Sequence, residues 1–194
     1  MQIPLPDNSL SCDAAMRESL QRFIDHAEPA LVAPCPGCLK HMPENCSPKC
    51  DDASRALSID PERYPLEPKV IPLVYEVMAS AGLKSCWSCE GHMDNEGELW
   101  KVPQVCFYSD TPIYPQLVLI HLLDLYQAKK LSFLWHIVLS DFSRSLNITY
   151  SIQPNLNQVN DPHLGALQHD MQVIAGDMHN KVKEIAQQLI NKYC

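Results

Sequence analysis

Residues 84–109 read KSCWSCEGHMDNEGELWKVPQVCFYS, and this stretch decides the fold. Its two ends, KSCWS at 84–88 and PQVCFYS at 103–109, are short runs bounded by turn-forming residues, so each predicts a β-strand. The loop between them contains Asn95-Glu96-Gly97, a sequence typical of turns. The stretch therefore predicts a strand, a turn-rich loop and a returning strand.

Helices are predicted on both sides of this hairpin because apolar residues recur there at helical spacing. Ser11 is the expected N-cap of the first helix, and Gly82 is the expected C-cap of the second. The predicted helices cover residues 11–28, 72–82 and 115–130.

Two more strands are predicted after the third helix, at residues 132–140 and 146–153. The run SFLWHIVLS at 132–140 is apolar on both faces, which predicts a central strand. In LNITYSIQ at 146–153 the apolar and polar residues alternate, so Asn147, Thr149 and Ser151 are expected to face water.

The C-terminal segment predicts one long amphipathic helix. Asn160-Asp161-Pro162 predicts the start of this helix. His163, His169 and His179 do not belong to its apolar stripe, so we expect them to be solvated. The stripe recurs by threes and fours at Leu164, Leu167, Met171, Ile174, Met178, Val182, Ile185 and Leu189. Together these elements predict a single α+β domain over 1–194, with an antiparallel or mixed sheet of about four strands covered by helices.

Composition excludes several classes of protein. An apolar share of 46% rules out wholesale disorder, and no apolar run approaches the roughly 18–20 residues of a membrane span. The net charge of −8, without clustered Lys and Arg, argues against a nucleic-acid or anionic-membrane partner. Because the N-terminus lacks a basic and apolar leader, we expect a cytoplasmic protein.

The nine cysteines are expected to be free thiols or metal ligands, since a reducing compartment disfavours disulfides. Cys12, Cys106 and Cys194 lie apart from the cysteine clusters. We expect them to be small buried or surface residues.

Residues 29–71 form a segment rich in cysteine and proline, with only short apolar runs, so an ion would help to order it. Cys35 and Cys38 flank a Pro-Gly turn, and Cys46 and Cys50 surround the predicted helix start at Ser47-Pro48. Two cysteine pairs of this kind predict a closed, structural zinc site with four thiolate ligands. An iron–sulfur cluster is the alternative, although the spacing matches neither common ferredoxin pattern. His41 is interpreted as a solvated loop residue.

The second motif is CWSCEGH at 86–92, and three interpretations remain open. Cys89 and His92, with or without Cys86, bind a metal that keeps an open position, with Glu90 as acid or base. Alternatively, Cys89 is a nucleophile activated by His92, and Glu90 orients the imidazole. In the third interpretation the motif merely ends a strand. If the strand persists through the motif, Cys86 and Cys89 point to opposite faces and cannot share one ion.

The functional expectation is a small metal-binding protein with a structural zinc site and a second site at CWSCEGH, suited to ligand or metal binding or hydrolytic-type chemistry. The alternative is a non-catalytic, zinc-stabilised interaction module, or an iron–sulfur protein. The expected partner is a small molecule or a protein, and the sequence identifies neither.

Overall fold

The structure is a computed structural model that describes residues 12–25, 57–58, 60–140, 148–157 and 163–194. Within these ranges the chain forms five α-helices and six β-strands. In chain order they are α1 Ala14–Asp25, α2 Ile71–Ala79, β1 Leu83–Cys89, β2 His92–Met93, β3 Leu99–Lys101, β4 Gln104–Ser109, α3 Ile113–Gln127, β5 Trp135–Ser140, β6 Thr149–Pro154, α4 Leu164–Ala175 and α5 Met178–Tyr193.

Four strands form one antiparallel sheet in the order β1-β4-β6-β5, which confirms the predicted α+β class and strand number. The hairpin is also confirmed, because β1 pairs with β4 from Leu83 opposite Ser109 to Cys89 opposite Gln104. The intervening loop folds into the small β2-β3 ribbon. The hairpin thus places the CWSCEGH motif at the end of an edge strand.

One face of the sheet packs against the helices. Val105 and Phe107 on β4 and Ile152 on β6 alternate toward this face, and all three are fully buried. They belong to the same apolar cluster as the buried residues of the helices. At about 25 cal/mol per Å² of apolar surface removed from water, this burial is the main stabilising term of the fold.

The predicted central position of the strand at 132–140 is wrong, because β6 lies inside the sheet and β5 at its edge. Thr149 and Ser151 are accordingly buried rather than wet, and Asn147 lies outside the described residues. The apolar residues of β5 do not all lie in the core, since Leu139 is 67% exposed. The start of β5 is held instead by buried Asp170 of α4, whose carboxylate accepts hydrogen bonds from Phe133 N and Trp135 Nε1.

The predicted long C-terminal helix is two helices. Six of the eight stripe residues are buried, and Leu164 and Leu189 are half-buried. The helix breaks at Gly176-Asp177, where Asp177 has a φ of 62°. Glu76 of α2 accepts hydrogen bonds from both His179 N (2.9 Å) and His179 Nδ1 (2.7 Å), and it thereby caps α5. His179 is consequently buried, and its expected exposure to solvent is wrong.

The two ends of the described chain are joined by a disulfide between Cys12 and Cys194. The expectation that both are unlinked small residues is therefore wrong. The bond brings the start of α1, where Asp13 Oδ1 caps Met16 N at 2.7 Å, to the end of α5. Sequence spacing gave no signal for a pair separated by 182 residues, and such bonds persist best where the environment is oxidising.

Only residues 57–58 and 60–71 of the cysteine- and proline-rich segment are described, so Cys35, Cys38, His41, Cys46 and Cys50 lie outside the described residues. Among the described helices, none has the length and apolar character needed to cross a membrane.

Replacing both Cys12 and Cys194 by serine should lower the free energy of unfolding by about 2–4 kcal/mol, because the disulfide restricts a long loop of the unfolded chain. Urea unfolding followed by circular dichroism measures this. The matched control is Cys86→Ser, an exposed free thiol, which should change stability by less than about 0.5 kcal/mol. A double variant as stable as the wild type would contradict the prediction.

Candidate metal centre

The turn after β1 brings Cys89 and His92 to one side of the hairpin. Gly91 adopts a φ of 85°, a left-handed conformation that side chains other than glycine rarely take. A Cβ at this position would lie 2.6 Å from Leu164 Cδ1 and 2.8 Å from Pro103 Cδ. Glycine is therefore required here by both the backbone conformation and the packing.

Glu67, in the loop before α2, completes the group. Its Oε1 lies 2.8 Å from His92 Nε2, and its Oε2 accepts a 2.6 Å hydrogen bond from Glu90 N. Both carboxylate oxygens are therefore committed to the tip of the hairpin, which fixes the loop against the end of β1.

Three side chains each contribute one potential ligand atom, and these atoms lie within 4.8 Å of one another: Glu67, Cys89 and His92. Tetrahedral zinc, with bonds of about 2.0–2.3 Å, separates its ligand atoms by about 3.3–3.8 Å. The three side chains are therefore close enough to surround one ion after small movements, and they offer the oxygen, sulfur and nitrogen donors that zinc accepts. Within the described part of the chain only these three donors converge, and three ligands leave a fourth coordination position open.

Cys89 is 3% exposed, and burial is the main cause that raises the pKa of its thiol. The Glu67 carboxylate raises that pKa further, whereas the Gly91 N–H, 3.4 Å from Cys89 Sγ, and the Lys101 ammonium lower it. Without an ion, the thiol form is favoured. A bound cation would replace the proton, since thiolate is the form that ligates metals.

Glu90 lies beside this group but outside it. Its Oε2 accepts a 2.9 Å hydrogen bond from Lys69 N, and its backbone carbonyl accepts one of 3.0 Å from Gln168 Nε2 of α4. These contacts tie the hairpin to the loop before α2 and to the C-terminal helices.

Cys86 is also outside the group. β1 spans Leu83–Cys89, but its pairing with β4 shifts register between Ser85 and Trp87, so Cys86 lies at a bulge. Cys86 is exposed while Cys89 is buried. Partial desolvation of its sulfur, and then the neighbouring Cys106, raise the pKa of the Cys86 thiol. The structure leaves Cys86 out of the converging group, and the bulge interrupts the regular alternation on which the prediction rested.

A cleft of about 570 Å³ opens beside Cys89 and His92. Its walls come from the loop before α2 and from β1, β2 and β3. They include the cationic side chains of Arg63 and Lys101 and the aromatic rings of Tyr64 and Trp87. A ligand in this cleft would lie next to the three candidate donor atoms.

Glu67 is the member of this group that sequence reasoning missed. It is 22 residues before Cys89 in the sequence, in the run Pro65-Leu66-Glu67-Pro68, which carries no spacing shared with CWSCEGH. The flanking prolines, which stiffen a segment that has few helical or strand signals, are the only local indication that this loop has a fixed position.

Comparison of this chain with protein-family models, with curated proteins and with solved structures found no match. The function has to be argued from the site itself.

Replacing Gly91 by alanine should destabilise the protein and disturb the group. The positive φ costs about 1–2 kcal/mol, and overpacking against Leu164 and Pro103 adds about 1–3 kcal/mol. Urea unfolding measures the loss. Gly97→Ala is a matched control, because Gly97 also has a positive φ (87°) but nothing lies within 4 Å of its added Cβ. Equal losses in the two variants would show that packing at Gly91 does not matter.

Proposed function

We propose that this protein binds zinc at two sites and that the second site is functional. At the second site Glu67, Cys89 and His92 hold the ion at the wall of the cleft. At the first, a structural ion orders the segment 29–71, and its four ligands are Cys35, Cys38, Cys46 and Cys50. The observation that carries the second site is the convergence of a carboxylate, a thiol and an imidazole within 4.8 Å.

Three protein ligands and one open position are the arrangement of catalytic zinc sites, whereas structural sites use four. Zinc held in this way lowers the pKa of a bound water and polarises carbonyl or phosphoryl oxygens, which is the chemistry of hydrolysis. The hydrogen bond from Glu90 N to Glu67 Oε2 orients the carboxylate ligand, as contacts behind metal ligands commonly do. Glu90 remains a candidate acid or base through Oε1, since Oε2 is engaged by Lys69 N.

The second candidate function is covalent catalysis by Cys89. The 2.8 Å contact between His92 Nε2 and Glu67 Oε1 favours it, because a carboxylate orients the base in such sites. In this version Glu67 takes the role that the sequence suggested for Glu90. The raised pKa of the buried Cys89 thiol weighs against it, since a nucleophilic cysteine needs a lowered pKa. Zinc binding resolves the same conflict by displacing the proton.

Metal content separates these possibilities. Protein purified without oxygen should contain two zinc ions per chain, and Glu67→Gln, Cys89→Ser and His92→Ala should each contain one while keeping their helical circular dichroism. Elemental analysis with an absorption spectrum measures this. Cys86→Ser is the matched control and should keep both ions, because Cys86 lies outside the group.

The first site is tested in the same way. Cys38→Ala should lose one zinc ion and unfold at a lower temperature, because a structural ion contributes directly to folding. Unchanged zinc content in Glu67→Gln would contradict the second site, and unchanged content in Cys38→Ala would contradict the first. Brown absorption with bound iron would replace the first site by an iron–sulfur cluster.

A further inference from the structure

We infer that the cleft beside the zinc site binds a small organic anion, a carboxylate or a phosphate ester attached to a flat apolar body. This inference rests on the proposed function, because the anion would approach the open position of the ion held by Glu67, Cys89 and His92. It adds the class of ligand, which the group of three donors alone does not specify.

Within the part of the chain that the structure describes, two cationic side chains in the cleft have no ion-pair partner. Arg63 and Lys101 both line the cleft, and neither has a carboxylate within ion-pair distance in the described ranges of the chain. The acidic residue of the lining is Glu67, and both of its oxygens are engaged by the hairpin. Among the described residues, the lining therefore carries two cations and one carboxylate, and that carboxylate is not an ion-pair partner of either cation.

A second cavity among the described residues has a more balanced charge. It measures about 360 Å³ and is lined by residues of α3, α4 and α5. Its Lys181 is already paired with Glu184 at 2.8 Å, and the pairing raises the pKa of Lys181. Two carboxylates, Asp124 and Glu184, line this cavity beside Lys130 and Lys181, whereas Glu67 is the single carboxylate in the described lining of the cleft at Cys89.

Zinc would not reverse the charge of the cleft. A divalent ion is balanced by the Glu67 carboxylate and the Cys89 thiolate, with His92 neutral, so the positive charges of Arg63 and Lys101 remain. The protein as a whole carries a net charge of −8, so the positive charge of this cleft is opposite in sign to the net charge of the protein. Field lines focused in such a cleft attract anions.

Aromatic rings beside the two cations would contact the apolar part of the ligand. Lys101 Nζ lies 4.3 Å from the centre of the Trp87 ring, and the Arg63 guanidinium lies 5.1 Å from the centre of the Tyr64 ring. Each ring therefore holds a cation in place by cation–π attraction. The rings remain accessible, with Trp87 43% and Tyr64 60% exposed, so they offer flat apolar surface next to each charge.

The wall that carries Arg63 and Tyr64 is shaped before any ligand binds. Ser58 Oγ donates a 2.7 Å hydrogen bond to the Tyr64 carbonyl, and Asp60 Oδ1 accepts one of 3.2 Å from Arg63 N. The guanidinium can then meet a carboxylate or phosphate through two parallel N–H donors. Preorganised walls reduce the entropy lost on binding.

The test uses zinc-loaded full-length protein and isothermal titration calorimetry with benzoate, phenyl phosphate and the neutral analogue benzamide. We expect one or both anions to bind at least about tenfold more tightly than benzamide, since hydrogen bonds to charged groups are the stronger ones. Lys101→Gln and Arg63→Gln should each weaken anion binding by about tenfold while zinc content stays unchanged. Lys84→Gln is the matched control, because Lys84 is an exposed lysine of β1 outside the cleft lining.

The preferred anion identifies the headgroup, carboxylate or phosphate. Equal binding of the anions and benzamide by zinc-loaded protein would overturn this inference and leave the zinc site standing. Equal weakening in Lys84→Gln and Lys101→Gln would overturn it as well, because the effect would then come from total charge. The absence of zinc from the wild-type protein would instead overturn the proposed function, and elemental analysis of the same sample reports that separately.

Discussion

The Glu67 carboxylate is the constraint on which the candidate site depends. One oxygen meets the His92 imidazole and the other accepts the Glu90 N–H, so a single side chain ties the loop before α2 to the tip of the β1-β2 turn. The same contacts form one wall of the cleft and bring an oxygen donor to Cys89 and His92. Gly91 makes this possible, because its left-handed backbone lets the chain turn between the two residues.

Local sequence patterns predicted the elements of the fold better than their arrangement. The β1 and β4 strands and the C-terminal apolar stripe follow from alternation and helical spacing. The first helix is capped by Asp13 rather than by the predicted Ser11. The position of β5 at the edge depends on which strands pair over long distances, and an apolar run does not report that. The break before α5 depends on Glu76, a distant residue that caps the new helix at His179.

The same limit applies to the site. Cys89 and His92 were identified because sulfur and imidazole three residues apart at a strand end are a local signal. Glu67 was missed because only tertiary folding brings it there, and the pairing of Cys12 with Cys194 was missed for the same reason. The cationic walls of the cleft could not be predicted from the sequence either, because Arg63 and Lys101 are far apart in a chain of net negative charge.

The measurement that tests the central claim most directly is a crystal structure of the zinc-loaded protein with anomalous diffraction recorded across the zinc absorption edge. We predict an anomalous peak bonded to Cys89 Sγ at about 2.3 Å and to Glu67 and His92 at about 2.0–2.2 Å, with its fourth side toward the cleft. Zinc bound by both Cys86 and Cys89 without Glu67, or no peak among the three side chains in fully loaded protein, would contradict it.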